Sequence, residues 1–167
     1  MDGRRRPVIR KAERADLPVC AAVIRKSFRT VADEFGFTPE NAPGFTAFAT
    51  TEERLVRQLE EQHRMMYLAE EDGEICGYYS LLPGEKEECE LGSLSVLPEY
   101  RHRGIGGELL KHAEETARDL GFSVMKLSIV EENRVLREWY ERNGAKHTGT
   151  KKFDFFPFTC GYMEIRI

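Results

Sequence analysis

The chain is poor in residues that would staple or metal-clip a small scaffold. Its four cysteines, Cys20, Cys76, Cys89 and Cys160, are far apart and form no CxxC pair, so neither a disulfide framework nor a zinc ribbon is indicated and reduced thiols are expected. Its four histidines, His63, His102, His112 and His147, make no HxxxH pair; no metal is expected. No apolar run approaches the roughly 20 residues that a bilayer crossing needs, and the basic start Arg4-Arg5-Arg6 leads into no signal-peptide core. Excess positive charge is missing as well. Lys and Arg number 25 against 29 Asp and Glu, for a net charge of -4, which argues against a nucleic-acid partner and leaves any phosphate-binding surface local. A cytoplasmic protein with no membrane and no nucleic-acid partner is the expectation.

What is present suits a folded domain. At 167 residues, with 41% hydrophobic, 32% charged and 10% aromatic residues, the chain reads as one domain over residues 8–167 behind a flexible basic tail over residues 1–7. A strand over Val8–Arg10 precedes a helix from Asp16, with Pro18 in its first turn, to about Phe28. Residues Thr30–Thr50, rich in Phe, Gly and Pro, read as a turn-containing region, and Thr51 caps a helix whose Leu55, Leu59 and His63 share a face. Strands over Met65–Glu70 and Ile75–Leu82 flank the hairpin signal Asp72-Gly73, and Glu90–Leu97 makes a third. Gly104–Leu120 carries Leu109, Leu110, Ala113 and Ala117 at helical spacing and stops at Gly121. A strand over Val124–Val130, a helix over Asn133–Asn143 and two strands within Lys146–Ile167 complete the order. A meander followed by a strand-helix-strand crossover predicts an α/β (α+β) class with a mixed sheet covered by helices.

Chemistry concentrates in Leu94-Ser95-Val96-Leu97-Pro98-Glu99-Tyr100-Arg101-His102-Arg103-Gly104-Ile105-Gly106-Gly107, where a strand passes through a glycine-rich turn into the best helix. Such a turn exposes main-chain donors, and the helix dipole favours an anion such as pyrophosphate. A Walker loop is excluded because Gly107 and Glu108, rather than Lys and Ser or Thr, follow Gly106. A dinucleotide fingerprint is excluded because Leu109 stands where its third glycine belongs. A tight turn with no ligand is the plainer alternative.

The pattern Arg101-x-x-Gly104-x-Gly106 resembles the acetyl-CoA motif of the GCN5-related N-acetyltransferase (GNAT) family. Asn133 with Trp139-Tyr140-Glu141-Arg142-Asn143-Gly144-Ala145 is similar to that family's second signature, so the likeness spans about Glu90 to Ala145. The resemblance implies a mostly antiparallel central sheet of about seven strands flanked by about four helices and splayed where acetyl-CoA enters. It also implies direct attack of a primary amine on the thioester in a ternary complex. By that likeness Arg101, His102, Arg103, Gly104, Ile105, Gly106 and Gly107 would receive the pyrophosphate through their main chain. Leu94 and Val96 would contact the pantetheine, and the amides around Ser95 and Val96 would polarise the carbonyl. Ser128 and Ile129, on the strand across the splay, are further candidates. Asn133 would contact the pantetheine or its water, a role that shares the residue with helix capping. Tyr140 would be the general acid for the departing thiolate, because a phenol is still protonated at pH 7. Glu90 is the candidate general base, directly or through water, although beside Glu85, Glu87 and Glu88 it reads equally well as a solvated carboxylate.

Acetyl-CoA is thus expected as acyl donor, with an amine-bearing acceptor: a small amine, amino acid, polyamine or antibiotic, or alternatively a peptide N-terminus or lysine. The family's acceptor site would fall on about Phe28–Phe48 and Phe153–Phe158, both rich in aromatics. Two other readings stay open. One is a catalytically silent acyl-CoA-binding module. The other is an interaction protein that forms a homodimer through Phe153-Asp154-Phe155-Phe156-Pro157-Phe158, which is compatible with catalysis.

Overall fold

The computed structural model of the chain describes residues 6–167. Of the expected N-terminal tail, residues 1–5, with Arg4 and Arg5, lie outside the described residues.

Seven strands, β1 (Val8–Lys11), β2 (Met65–Glu71), β3 (Glu74–Pro83), β4 (Glu88–Val96), β5 (Val124–Val130), β6 (Lys146–Lys152) and β7 (Thr159–Arg166), form one sheet in the order β1-β2-β3-β4-β5-β7-β6. Every neighbouring pair is antiparallel except β4 with β5. That exception follows from the crossover between them, because the helix α4 (Ile105–Asp119) returns the chain to the same end of the sheet. The expected mixed, mostly antiparallel sheet is therefore the observed one.

Helix α4 lies on one face. Its Leu109, Leu110, Ala113 and Ala117 are fully buried against Tyr79, Leu81, Met125 and Met163; burial of one such leucine contributes about 2 kcal/mol. Helix α5 (Arg134–Arg142) joins that core through Tyr140, Leu136 and Trp139. Helix α1 (Leu17–Phe35) covers the opposite face with Leu17, Cys20, Ala21 and Ile24 seated on Met66, Leu68 and Tyr78, beside Leu55 of α3 (Glu52–Glu60). Thr51 caps α3 by accepting the Arg54 amide at 3.1 Å, as its sequence position predicts.

Three expectations need correction on this side. Helix α1 continues seven residues past Phe28, because nothing breaks it before Gly36, which takes the left-handed conformation (φ 73°) that ends a helix. Within the supposed turn region, Thr46–Ala49 also forms one helical turn, α2. His63 leaves the α3 face, since the helix ends at Glu60 and His63 itself has a φ of 55°.

Candidate active site

The sheet opens between β4 and β5. Their ladder runs through Glu88/Val124, Cys89/Met125 and Glu90/Lys126 and then stops. The cause lies on the other edge of β4. Against β3, Gly92 pairs with Ser80 and Ser95 with Tyr78, so β4 carries one residue too many, and Ser93 takes a φ of 50°. A bulge of this kind bends its strand and strengthens the twist. Downstream of Glu90, β4 swings away from β5, and a cleft of about 730 Å³ fills the gap.

Leu94 and Val96 line this cleft from β4, and Leu127, Ser128 and Ile129 line it from β5. The Leu97 amide donates to Cys76 O across to β3 at 2.8 Å. Strand alternation therefore turns the Val96 amide the other way, where it donates to Ser27 Oγ of α1 at 3.4 Å. That contact is long for a hydrogen bond, so the donor is weakly held.

At the mouth, His102, Gly104, Ile105, Gly106 and Gly107 line the cleft. Gly104 precedes α4 in the left-handed conformation (φ 82°), which a side chain would resist. The first intrahelical bond is Glu108 N to Gly104 O at 3.1 Å, so the amides of Ile105, Gly106 and Gly107 begin the helix without intrahelical acceptors. A Cβ on Gly106 would stand 3.6 Å from Trp139 and 3.8 Å from Val96, at the narrow part between turn and strand.

The two arginines of the turn have other partners. Arg101 lines the cleft, but its guanidinium donates to Thr30 Oγ1 at 2.9 Å, Ser27 O at 2.9 Å and Ser27 Oγ at 3.3 Å. Burial lowers its pKa from the ordinary value. Arg103 lies outside the cleft wall, over the Tyr100 ring at 5.0 Å and 3.5 Å from Glu71. An anion brought to this turn would therefore meet main-chain groups and the helix end rather than these two guanidinium groups.

Tyr140 lines the cleft and is 6% exposed. Burial alone raises its pKa far above the ordinary value, so the phenol keeps its proton through neutral and alkaline pH. Its ring packs edge-on to Trp139 at 5.0 Å. Asn133 also lines the cleft, while its Oδ1 accepts the Leu136 amide at 3.3 Å and caps α5.

Two candidates stand apart from these. Ser95 is buried with its hydroxyl donating to Ser93 O at 2.7 Å, so only its main chain bears on the strand. Glu90 is not among the residues lining the cleft. Its exposed carboxylate faces the α1 side of the sheet, 3.9 Å from Arg64, which in turn donates to Ser80 Oγ at 3.1 Å.

Residues 28–145 match the family described as the acetyltransferase (GNAT) family. The chain belongs to that family. It is by family an acyltransferase that draws on acetyl-CoA. An uncharacterized N-acetyltransferase of Mycobacterium tuberculosis is 29% identical over 138 residues, covering 83% of this chain and 88% of that protein. An uncharacterized N-acetyltransferase of Lactobacillus delbrueckii is 30% identical over 138 residues, covering 77% and 78%. Among solved structures, the PaiA N-acetyltransferase of Thermoplasma acidophilum in complex with coenzyme A superposes with a TM-score of 0.79 at 24% identity, over 96% of this chain and 99% of that one. The ribosomal-protein-S18-alanine N-acetyltransferase of Escherichia coli does so at 0.76 and 16% identity, over 96% and 94%. These two likenesses are likenesses of fold.

Helix α1 contributes a wall to this GNAT cleft that falls within the expected acceptor span Phe28–Phe48, except for Ser27, which the sequence did not suggest. Ser27, Thr30, Val31 and Glu34 all line it, at the i, i+3, i+4, i+7 spacing of one helix face. That face was legible in principle, but only once α1 is carried past Phe28 to Gly36. At the far end, Phe45 of the α1–α2 connection and Phe156 and Phe158 of the β6–β7 connection close the cleft. Phe158 meets Phe37 at 4.9 Å and Phe45 at 5.7 Å, and stacks on Phe156 at 4.7 Å. Of the aromatic run at 153–158, Phe158 is buried, Phe153 and Phe156 are half-buried and Phe155 is 64% exposed.

Proposed function

We propose that this GNAT protein transfers the acetyl group of acetyl-CoA to a primary amine of a small molecule by direct attack in a ternary complex. One observation carries the reading: a helix start with free amides opens onto a cleft that follows the unpaired edge of β4 to a buried, protonated tyrosine. The pyrophosphate would sit on the main chain from Arg101 to Gly107 and the start of α4, where dipole and donors favour an anion. The pantetheine would follow Leu94 and Val96, with Asn133 opposite. An amide of β4 near Ser95 and Val96 would donate a hydrogen bond to the thioester oxygen as negative charge develops on it; the weak Val96–Ser27 contact leaves that donor free to be recruited.

The amine, once it has lost a proton, forms the new N–C bond as the C–S bond breaks. The Tyr140 phenol gives its proton to the leaving sulfur, and the second proton of the nitrogen is relayed through solvent to the phenolate and restores it; the first is the one released, so the net products are amide, CoA thiol and one proton. Glu90 would receive the first proton through a chain of water, since its carboxylate is outside the cleft wall. A small acceptor is favoured over a folded protein because the two connections that would have to part for a protein substrate are joined by aromatic contacts. The free thiols suit a reducing, cytoplasmic compartment. The position of Glu90 favours one second reading, a non-catalytic acyl-CoA-binding module. It is separated from the first by whether thiol is released when amines are added.

Thermal stability tests the nucleotide site without a known acceptor. At about 100 times Kd, acetyl-CoA adds about 2.7 kcal/mol and should raise Tm by roughly 5–10 °C, with no shift from NADH. Gly106→Glu puts a carboxylate between the helix start and Trp139; it should abolish the shift and leave the unliganded Tm near wild type. Wild-type protein that acetyl-CoA does not stabilise would refute the reading.

A further inference from the structure

The geometry points to an apolar primary monoamine, of the arylalkyl or long alkyl kind, as the acceptor. This rests on the acetyltransferase reading above. The acceptor end of the cleft is walled by Phe28, Val31, Phe45, Phe156 and Phe158, and its rings are fixed by mutual contact, Phe28 lying edge-on to Phe45 at 6.0 Å. A preformed aromatic wall favours a hydrocarbon or aryl group and offers little to a chain of charges.

Charge narrows the class further. Glu34 is the one carboxylate among the described residues lining the cleft. It sits on the cleft face of α1, one turn beyond Thr30 and beside Val31, so a single anion overlooks the apolar wall. One carboxylate suits one ammonium; a polyamine would carry further ammonium groups against phenylalanine. The cations of the cleft wall are Arg101, Arg142 and, when protonated, His102. Arg101 is held by Ser27 and Thr30, His102 is in the glycine turn, and Arg142 is one turn past Trp139, which adjoins Gly106. His102 and Arg142 therefore belong with the nucleotide end, and the guanidinium of Arg101, which reaches Thr30 one turn before Glu34, is committed to Ser27 and Thr30; an amino acid would bring its carboxylate to a wall with no uncommitted partner among the described residues. An uncompensated charge of that kind is strongly disfavoured.

The test compares acceptors that differ by one group, with thiol release from acetyl-CoA as the readout on the full chain. 2-Phenylethylamine and hexylamine should be acetylated with kcat/KM at least about tenfold above phenylalanine and spermidine, the discrimination that one misplaced charge supplies. Glu34→Gln should raise the KM for 2-phenylethylamine about tenfold while the KM for acetyl-CoA stays within about twofold. Because Glu34 is exposed, the variant should fold, and an unchanged acetyl-CoA thermal shift checks this. Faster turnover of spermidine, phenylalanine or an alanyl peptide would overturn the inference, as would an unchanged amine KM in Glu34→Gln. A protein that acetyl-CoA stabilises but that turns over neither apolar amine overturns this inference alone; a protein that acetyl-CoA fails to stabilise overturns the acetyltransferase reading with it.

Discussion

Replacement of Tyr140 by phenylalanine separates chemistry from packing in an unusually clean way. The ring is buried between α5 and the sheet, so a truncation to alanine would open a cavity and confound any kinetic loss. Tyr140→Phe keeps the ring and its contact with Trp139 and removes one oxygen. Burial is the sole cause of the raised pKa, which means that no neighbouring side chain holds the hydroxyl in either protonation state. The hydroxyl opens on the cleft and has no hydrogen-bond partner among the described residues, so its loss should change stability by no more than about 1 kcal/mol and Tm by no more than about 4 °C. The thiolate, by contrast, loses its proton donor. Positioned acid catalysis contributes about 100-fold to 10,000-fold, or roughly 3–5 kcal/mol of barrier at 1.36 kcal/mol per decade. Thiol release under saturating amine and acetyl-CoA should therefore fall by about 100-fold or more while the acetyl-CoA thermal shift persists. Because the folded environment holds the phenol proton so firmly, the wild-type rate should also show no fall attributable to Tyr140 up to about pH 10. A variant that turns over at the wild-type rate would refute the assignment. A rate loss accompanied by a drop in Tm beyond that range would mean that the hydroxyl is structural.

Three further outcomes are expected. Arg101→Met should lower Tm by roughly 5 °C, since it strips a charged donor from Ser27 and Thr30 at about 1.5–3 kcal/mol, and it should raise the acetyl-CoA KM; calorimetry and kinetics on one preparation check both. Glu90→Gln should lower kcat and remove the acidic limb of the pH–rate profile, and an unchanged profile would exclude the water-relayed base. Burial holds the thiols of Cys20, Cys76 and Cys89 up to about 12, 11 and 11, against an ordinary 9.0. With folded pKa values above unfolded ones, the native state keeps protons that the unfolded chain releases, so stability is full below about pH 9 and falls as pH rises through 9 to 11. A Tm that stays flat between pH 8 and pH 10.5 would contradict those burial shifts.

How much of this could be read from the letters depended on how local the cause was. Strand β5 was legible to the residue because a turn at Gly121 and a helix cap at Asn133 bracket a β-prone run in which Lys126 and Ser128 alternate with buried Met125, Leu127 and Ile129. Helix α4 and the glycine turn were legible because 3.6-residue periodicity and the requirement for a left-handed residue are both short-range. The end of α1 was not, since Thr30 and Val31 look β-prone until Gly36 is recognised as the stop. Side-chain direction was least legible. Arg101 and Arg103 are expected to serve the pyrophosphate through their main chain, and nothing in the motif shows where their side chains go: the first is taken up by Ser27 and Thr30, 71 or more residues away in the chain, and the second by Glu71 and Tyr100. Glu90 likewise alternates onto the Arg64 side of β4, a consequence of strand parity that only the pairing with β5 fixes. Ser27 belongs to no motif and lies outside the expected acceptor span; the splay alone makes it a cleft residue.

The aromatic cluster at the acceptor end joins two parts of the molecule that the sheet itself leaves apart. Phe37 and Phe45 follow α1, packed on the β1–β4 half, whereas Phe158 and Val130 belong to the β5–β7–β6 half, and past Glu90 the two halves share no ladder. The same rings therefore act as a clasp across an open seam and as the surface that meets the acceptor. Ancestral or laboratory variants that alter acceptor choice through these rings would loosen the clasp at the same time. New specificity should thus arise more readily at Val31, Glu34 or the cleft-facing Phe156 than at Phe37, Phe45 or Phe158, whose replacement would have to await compensating stability elsewhere.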